Sequence, residues 1–247
     1  MRSRRMPESS VMLSVVLPVF NERDNLVPLL DELGAALGNR RFEIIAVDDG
    51  STDGSLDELS RQRRDRPALR VIAFRQRSGQ SAALAAGWAA ARGDVVVMLD
   101  ADGQNDPADI PALLDRLQAD PRLAAAAGYR VRRRDSRWKR AQSRIANTIR
   151  NWITRDRVRD TGCSLKAARR DVLNALPQFD GMHRFLPTLI RFQGGLVVEV
   201  PVSHRARRSG RSKYTARNRA LAALRDAFGV RWLRRRALRY TVREELG

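Results

Sequence analysis

The 247-residue sequence contains little of what several kinds of protein depend on. Its single cysteine, Cys163, excludes an internal disulfide and a cysteine-rich zinc site, and it indicates a reducing compartment. The longest stretch without a charged residue, Ser78–Ala91, has 14 residues, fewer than the about 18 to 20 that a membrane-spanning helix needs. The N-terminus imitates a signal peptide but lacks a small-residue cleavage site, so we interpret Met12–Phe20 as a buried strand.

Two nucleotide-binding patterns are also absent. No G-x-G-x-x-G follows the first predicted strand, and G-x-x-x-x-G-K-[ST] occurs nowhere, which disfavours a dinucleotide fold and a P-loop. The apolar content of 43% excludes a disordered chain, and 247 residues are enough for one large domain or two small ones.

Charge is unevenly distributed along the chain. Residues 1–129 have a formal net charge of −3, whereas residues 130–247 have +22. An asymmetry of this size indicates a polyanionic partner for the C-terminal half: nucleic acid, an anionic membrane surface or a phosphorylated substrate.

Hydrophobic periodicity predicts alternating strands and helices over the first 120 residues. The predicted strands are Ser14–Phe20, Glu43–Val47, Leu69–Phe74 and Val95–Leu99. Leucines at helical spacing between residues 26 and 37, the small-residue segment Ser78–Ala91 and Asp109–Gln118 predict helices. This alternation is typical of βαβ units, so we expect an α/β fold with a mostly parallel sheet flanked by helices.

Polar clusters follow three of these strands, at Pro18–Glu22, Val47–Ser51 and Leu99–Gln104. Ligands bind at the carboxyl ends of parallel strands, so the clusters should converge on one edge. Asp100 and Asp102 repel one another unless a cation lies between them, and hard oxygen ligands suit Mg²⁺ or Mn²⁺. The pair is typical of a clamp for a metal-bound diphosphate, although two solvated turn acids would give the same pattern.

Together these motifs resemble the family 2 glycosyltransferases of GT-A fold. The closest subgroup is the polyprenyl-phosphate sugar transferases, similar to dolichol-phosphate mannosyltransferase. "LDADGQ" resembles the subgroup's metal motif, "RDTGCSLKAARR" its acceptor-side segment and "RARRSGRSKY" its basic loop. The resemblance implies a flexible N-terminus over 1–11 and a GT-A domain over 12–215. Residues 12–129 would form its nucleotide-sugar half and 130–215 its acceptor half, with a basic amphipathic helical segment over 216–247.

The resemblance also implies roles for individual residues. Those that would bind the nucleotide-sugar are Pro18, Phe20, Asn21, Glu22, Asp49 and Asp100. Asp100, Asp102 and Gln104 would hold the metal, and Asp102, Arg207 and Lys213 would be catalytic, the two cations neutralising the leaving diphosphate. Arg130, Arg140 and Ser143 would bind the acceptor phosphate.

The implied activity is a metal-dependent inverting transfer of a hexose, such as mannose or glucose, from a GDP- or UDP-sugar to a polyprenyl phosphate. Because a phosphate acceptor is already anionic near pH 7, no general base is needed. We expect Mg²⁺ or Mn²⁺ as cofactor and no transmembrane helix. Peripheral attachment to the cytoplasmic face of an anionic membrane would use the amphipathic segments Ala141–Ile153 and Leu221–Leu238.

Three alternatives remain open from the sequence. A basic nucleic-acid-binding protein would also carry the positive C-terminal half, but no nucleic-acid motif is present and we expect no nucleic-acid partner. A family 2 enzyme that glycosylates a hydroxyl would need a general base, for which Asp160 is the evident candidate. A non-catalytic GT-A module is disfavoured by the intact Asp100 and Asp102.

Overall fold

The structure is a computed structural model that describes residues 12–131, 148–206 and 216–236, with side chains in the last segment from residue 224 onward. The expected flexible N-terminus therefore lies outside the described residues. The secondary structure alternates strands and helices as the sequence predicts, which confirms an α/β fold.

A seven-stranded sheet forms the centre of the molecule, in the order β3-β2-β1-β4-β6-β5-β7. Strands β1 to β4 are parallel, β6 runs antiparallel to both β4 and β5, and β5 and β7 are parallel. The strands are β1 (Leu13–Val19), β2 (Phe42–Asp48), β3 (Leu69–Ala73), β4 (Val95–Met98), β5 (Leu123–Arg130), β6 (Lys166–Arg169) and β7 (Leu196–Val202).

Strands β5 and β6 are not evident in the sequence. Four consecutive alanines occupy the middle of β5, and alanine is depleted in strands. Strand β6 has only four residues, too few to show a period of two. Both form because neighbouring strands on each side supply their hydrogen bonds, which is a tertiary effect.

Helices cover both faces of the sheet. They are α1 (Arg23–Leu37), α2 (Ser55–Asp65), α3 (Gln80–Ala90), α4 (Ile110–Ala119), α5 (described over 148–154), α6 (Arg170–Asn174), α7 (Leu186–Phe192) and α8 (Ala216–Arg236). Alternate residues of β1 serve opposite faces: Leu13, Val15 and Leu17 pack with α1 and α4, while Val16 packs with α3. A strand buried on both faces has a nearly continuous apolar sequence, which explains the apolar run of β1.

The small residues of α3 allow it to lie close to the sheet, as its composition suggests. A Cβ atom added at Gly87 would lie 2.2 Å from Cγ1 of Val16. Trp88, on the next position of the same helix, is fully buried. The close approach holds α3 against β1.

Helix α8 divides its apolar residues between the core and the surface. Ala227 and Val230 are buried in the same core layer as α3. Leu224, Phe228 and Trp232, which we call the α8 apolar face, are 39%, 55% and 59% exposed. No helix in the described ranges is long and apolar enough to span a membrane.

The described part of the first predicted amphipathic segment, Ala141–Ile153, also has apolar residues both in the core and on the surface. Ile153 is 2% exposed and packs in the core, whereas Ile149 and Trp152 are exposed. The single apolar stripe predicted over Ala141–Ile153 is therefore wrong for its last turn. Ile153 packs because α8 lies beside it, with Arg231 donating a hydrogen bond to the Ile153 carbonyl at 2.8 Å.

Candidate active site

The predicted convergence of polar clusters occurs at the carboxyl ends of β2, β1 and β4, which are neighbours in the sheet. The loop after β1 and the loop after β2 are joined by several hydrogen bonds. The Asn21 backbone N–H donates to Ser51 Oγ at 2.9 Å, and Thr52 N–H donates to Asn21 Oδ1 at 2.7 Å. Asn21 has a φ of 54°, a conformation that asparagine tolerates better than most residues. The two loops therefore form one wall of the site.

The remaining residues of the first cluster lie along this wall. Pro18 is partly buried near the end of β1, opposite Val47 of β2. The Phe20 ring lies beneath the Arg77 guanidinium, 4.4 Å from its centroid. Glu22 accepts a hydrogen bond from Asn25 Nδ2 at 2.7 Å, and its charge contributes to raising the pKa of Asp100.

Asp49 connects this wall to α3. Its carboxylate is 4% exposed and accepts hydrogen bonds from the backbone N–H groups of Ser78, at 2.5 Å, and Gly79, at 2.9 and 3.0 Å. Asp49 thus holds the loop that begins α3. Its predicted role as a nucleotide ligand stays a prediction.

The first turn of α3 reaches two other parts of the site. Gln80 Nε2 donates to Asp100 Oδ1 at 2.6 Å. Ser81 Oγ accepts a hydrogen bond from Gly181 N–H at 3.0 Å and lies 2.7 Å from His183 Nδ1.

Asp100 and Asp102 follow β4 as predicted, and the loop between them is shaped by hydrogen bonds. Asp100 N–H donates to Ser164 Oγ at 3.2 Å, and Gln104 N–H donates to Asp102 Oδ1 at 3.1 Å. Burial raises the pKa of Asp100 to about 6, and the Asp102 charge adds to the rise. A buried carboxylate whose charged form is disfavoured by a second carboxylate two residues on offers hard oxygen ligands of the kind that Mg²⁺ or Mn²⁺ accepts.

The described residues include no cluster of three His, Cys, Asp or Glu side chains arranged to hold a metal. That agrees with Mg²⁺, which usually takes one or two protein carboxylates and completes its coordination with water and substrate phosphates.

The segment leading to the predicted basic loop is anchored beside these acids. Arg205 N–H donates to the Gln104 carbonyl at 2.9 Å. Its guanidinium pairs with Asp106 at 2.5 Å and with Glu32 at 2.7 Å. The chain therefore passes the Asp-x-Asp loop just before residue 207. Arg207 and Lys213 themselves lie outside the described residues.

A cavity of about 170 Å³ opens beside Asp100. Its polar lining comes from Asp100, Gln80, Thr161, Ser164, Lys166, His183 and Arg184. Sequence reasoning did not select Lys166, His183 or Arg184. The signal for Lys166 was its place in the "RDTGCSLKAARR" segment, which the resemblance put on the acceptor side.

Of the three predicted acceptor residues, Arg130 alone lies within the described residues, so the predicted acceptor site stays a prediction. Arg130 forms a two-point ion pair with Asp160, with Nε and Nη2 donating at 2.7 and 2.9 Å. A Cβ atom on Gly162 would lie 2.8 Å from Arg130 Nη2, so the pair is closely covered. Arg140 and Ser143 lie outside the described residues. Cys163 is 1% exposed, and burial raises the pKa of its thiol, as expected for a packed side chain.

Comparison with known proteins identifies the family. The model named "Glycosyl transferase family 2" matches residues 14–176, and the chain belongs to this family. It is 36% identical over 219 residues to a dodecaprenyl-phosphate galacturonate synthase from Rhizobium johnstonii, covering 86% of this chain and 64% of the relative. It is 39% identical over 214 residues to an undecaprenyl-phosphate 4-deoxy-4-formamido-L-arabinose transferase from Pseudomonas paraeruginosa, covering 83% and 61%. The chain thus spans a little over three fifths of the length of these relatives.

Solved structures share the fold. Glucosyl-3-phosphoglycerate synthase from Mycobacterium tuberculosis, crystallised with Mn²⁺, UDP-glucose and phosphoglyceric acid, superposes with a TM-score of 0.68 at 22% identity, covering 90% of this chain and 81% of that one. A mannosyltransferase from Pyrobaculum calidifontis, in complex with GDP-mannose and Mn²⁺, gives 0.66 at 23% identity, covering 91% and 65%. These matches confirm the expected GT-A-like architecture.

Proposed function

We propose that this chain transfers a sugar from a nucleotide-sugar to a polyprenyl phosphate, with a divalent metal at Asp100 and Asp102. The observation that carries the proposal is the meeting of this acid pair with the loops after β1 and β2 at one sheet edge. The two curated relatives, whose names specify polyprenyl-phosphate acceptors, support the acceptor class. The neighbours crystallised with UDP-glucose or GDP-mannose support the donor class.

The donor is assigned to the wall built from the first two clusters. Phe20 offers an aromatic face for a base, and Asn21, Glu22 and Asp49 offer polar groups for the base and ribose. The hydrogen bonds between the two loops keep these groups in place before the donor arrives, which lowers the entropy cost of binding.

The metal is assigned to Asp100, Asp102 and the Gln104 side chain. A bound Mg²⁺ or Mn²⁺ would supply positive charge to the leaving diphosphate. The Asp100 carboxylate accepts a hydrogen bond from Gln80, and the Asp100 backbone N–H donates to the Ser164 hydroxyl, so both the side chain and the backbone of Asp100 are held. We assign Arg207 and Lys213 to the same diphosphate from the basic-loop motif, and Arg205, which precedes them in the chain, lies beside Gln104.

The reaction is a single displacement at the anomeric carbon. A phosphate oxygen of the acceptor forms the new C–O bond, and the bond to the diphosphate breaks with its electron pair leaving on the nucleoside diphosphate. No proton has to be removed, because the acceptor oxygen is anionic above its second pKa of about 6.

The main alternative, transfer to a hydroxyl, requires a general base on the acceptor side. Asp160 was the candidate from the sequence. Its two oxygens accept hydrogen bonds from Arg130, and Oδ1 also accepts from Gly162 N–H at 3.1 Å. A carboxylate held in this way is poorly placed to take a proton, which favours the phosphate acceptor.

We also propose that the chain works at a membrane surface, where a polyprenyl chain resides. The α8 apolar face is exposed, and Arg234, Arg235 and Arg236 occupy the last turn of the same helix. Apolar residues beside arginines favour an interfacial position on anionic lipid. The position on the cytoplasmic face remains an expectation from the sequence.

The experiment that tests the function is direct. The protein is incubated with a polyprenyl phosphate, Mg²⁺ or Mn²⁺, and a panel of GDP- and UDP-sugars that includes mannose, glucose and galacturonate donors. We expect one donor to yield a sugar-phospholipid product that does not form with chelator or with the corresponding polyprenol. Transfer to the polyprenol, or only to a polysaccharide, would contradict the proposed acceptor.

A further inference from the structure

Lys166 is a buried ammonium without a carboxylate partner. It is 5% exposed on β6, opposite Met98 of β4. Its Nζ donates a hydrogen bond to the Cys163 carbonyl. Throughout the ranges that the structure describes, no carboxylate lies within ion-pair distance of it, although the charges of Asp100 and Asp160 favour its protonated form. A buried ammonium whose one hydrogen-bond partner is neutral is costly, so it favours an anionic ligand in the adjoining cavity.

The cavity beside Lys166 contains a second cation. Arg184 lines it, and within the described ranges its guanidinium has one carboxylate partner, Asp226, at 3.5 Å, the outer limit of a hydrogen bond. A guanidinium has five N–H donors, so most of the Arg184 donors remain for hydrogen bonds to a ligand. Thr161 and His183 add polar groups to the lining. Asp100, proposed above as a metal ligand, is the single carboxylate lining the cavity.

The order of the strands places this cavity on the side of Asp100 that faces away from the loops after β1 and β2. The loops proposed to bind the nucleotide follow β2 and β1, Asp100 follows β4, and Lys166 begins β6, the next strand along the same sheet. Lys166 thus lies across Asp100 from the nucleotide wall. An inverting displacement requires the attacking oxygen to approach from the side opposite the leaving diphosphate.

We propose that Lys166 and Arg184 bind the phosphate group of the acceptor lipid in this cavity. The inference rests on the proposed function and adds the acceptor site to it. It replaces Arg130 as the primary cation, because Asp160 already pairs with two of the Arg130 nitrogens. A phosphate monoester carries between one and two negative charges near pH 7, which matches an ammonium and a guanidinium.

A phosphate could also reach this cavity from the donor diphosphate, so the test separates the two sources. Binding is measured by calorimetry with three probes: a ten-carbon prenyl phosphate, the nucleoside diphosphate of the active donor, and inorganic phosphate. The prenyl alcohol of the same length serves as a ligand without the phosphate. The variants are Lys166→Met, Lys166→Arg and Arg184→Gln, with Arg122→Gln as a matched cation far from the cavity.

Lys166→Met removes the charge but keeps an unbranched chain of similar length. If Lys166 had only a structural role, replacing an unpaired buried ammonium by an apolar side chain would leave ligand binding unchanged. We expect its affinity for the prenyl phosphate to fall by about tenfold to a hundredfold, with nucleoside diphosphate affinity unchanged. Lys166→Arg should retain most of the binding, Arg184→Gln should lose a smaller part, and Arg122→Gln should lose none.

Two results would overturn the inference. An equal loss of nucleoside diphosphate binding would assign Lys166 to the donor, and an unchanged prenyl phosphate affinity would remove it from the acceptor site. If the wild-type protein transfers sugar to the lipid and Lys166→Met keeps the acceptor KM, this inference fails while the proposed function stands. If the wild type forms no sugar-phospholipid with any donor, the proposed function itself fails.

Discussion

Glu43 offers a quantitative test of what holds the sheet together at the edge opposite the site. Its carboxylate lies at the start of β2 and is almost fully buried. Oε1 accepts hydrogen bonds from the Ser14 hydroxyl and from Arg92 N–H, both at 2.7 Å. Oε2 accepts from Arg70 Nη1 at 2.5 Å. One side chain therefore connects β1, β2, β3 and the turn before β4.

The change Glu43→Gln isolates the charged part of this cluster. Glutamine keeps a carbonyl oxygen for Ser14 and Arg92 but presents an N–H₂ group to Arg70. A hydrogen bond to a charged group contributes about 1.5 to 3 kcal/mol. Because the Arg70 side chain is 33% exposed and also donates to the Ala90 carbonyl, water and that carbonyl recover part of the loss. We expect the free energy of unfolding to fall by about 2 kcal/mol.

The loss should depend on pH. Burial alone would raise the pKa of Glu43, but the hydrogen bonds from Ser14, Arg70 and Arg92 N–H outweigh it, so the pKa lies below the ordinary 4.5. A carboxylate whose pKa is lowered by folding stabilises the protein above its unfolded pKa, and this contribution is lost as the pH falls through the folded pKa. The difference between wild type and Glu43→Gln should therefore be largest near neutral pH and shrink below pH 4.5.

Urea unfolding followed by tryptophan fluorescence, at pH 7 and at about pH 3.5, measures both effects. Glu58→Gln is the matched control, since Glu58 pairs within α2 with Arg61, whose side chain is 58% exposed, and should contribute about 0.5 kcal/mol or less. Equal losses in the two variants, or a Glu43→Gln deficit that does not change with pH, would refute the reasoning. Sugar transfer per folded molecule should be unaffected, because Glu43 lies away from the site.

The remaining predictions concern the site and the membrane. Asp102→Asn should abolish metal-dependent nucleotide binding, measured by calorimetry, with an unchanged melting temperature; full activity in this variant would exclude the metal role. Asp160→Asn should lower activity by weakening its pairing with Arg130, while the acidic limb of the pH–rate profile stays near the acceptor pKa of about 6; a limb that vanishes with the change would indicate a protein base. Changing the α8 apolar face to serine should abolish sedimentation with anionic vesicles, whereas Leu196→Ser, at an exposed leucine of β7, should not. Vesicle binding should weaken as salt increases. Equal sedimentation with neutral vesicles would argue against a role of the α8 arginines in membrane binding.

The meeting of the polar clusters at one sheet edge was predictable because its information is local, while their role in nucleotide binding stays a prediction. Each polar cluster directly follows an apolar run, and parallel strands deliver their carboxyl ends to one edge whatever the details of packing. The Asp100–Asp102 pair, the Gln104 motif and the β1 and β2 loops could therefore be placed from the sequence. The hydrogen-bond partners of those side chains could not be predicted. Asp49, for example, binds the backbone at the start of α3, 29 and 30 positions further along the chain.

The surroundings of Lys166 and Arg130 were decided by tertiary structure. Strand β6 runs antiparallel between β4 and β5, and its four residues carry no periodic signal, so nothing in the sequence placed Lys166 opposite Met98. Arg130 was a reasonable phosphate ligand as a sequence motif, but the fold pairs it with Asp160, 30 positions away. The sequence fixes which side chains are charged. Whether a charged side chain can bind a ligand depends on the partner that packing brings to it. Composition likewise showed only that the C-terminal half is basic. The fold shows which of the described arginines pair with a carboxylate and which cations line the cavity.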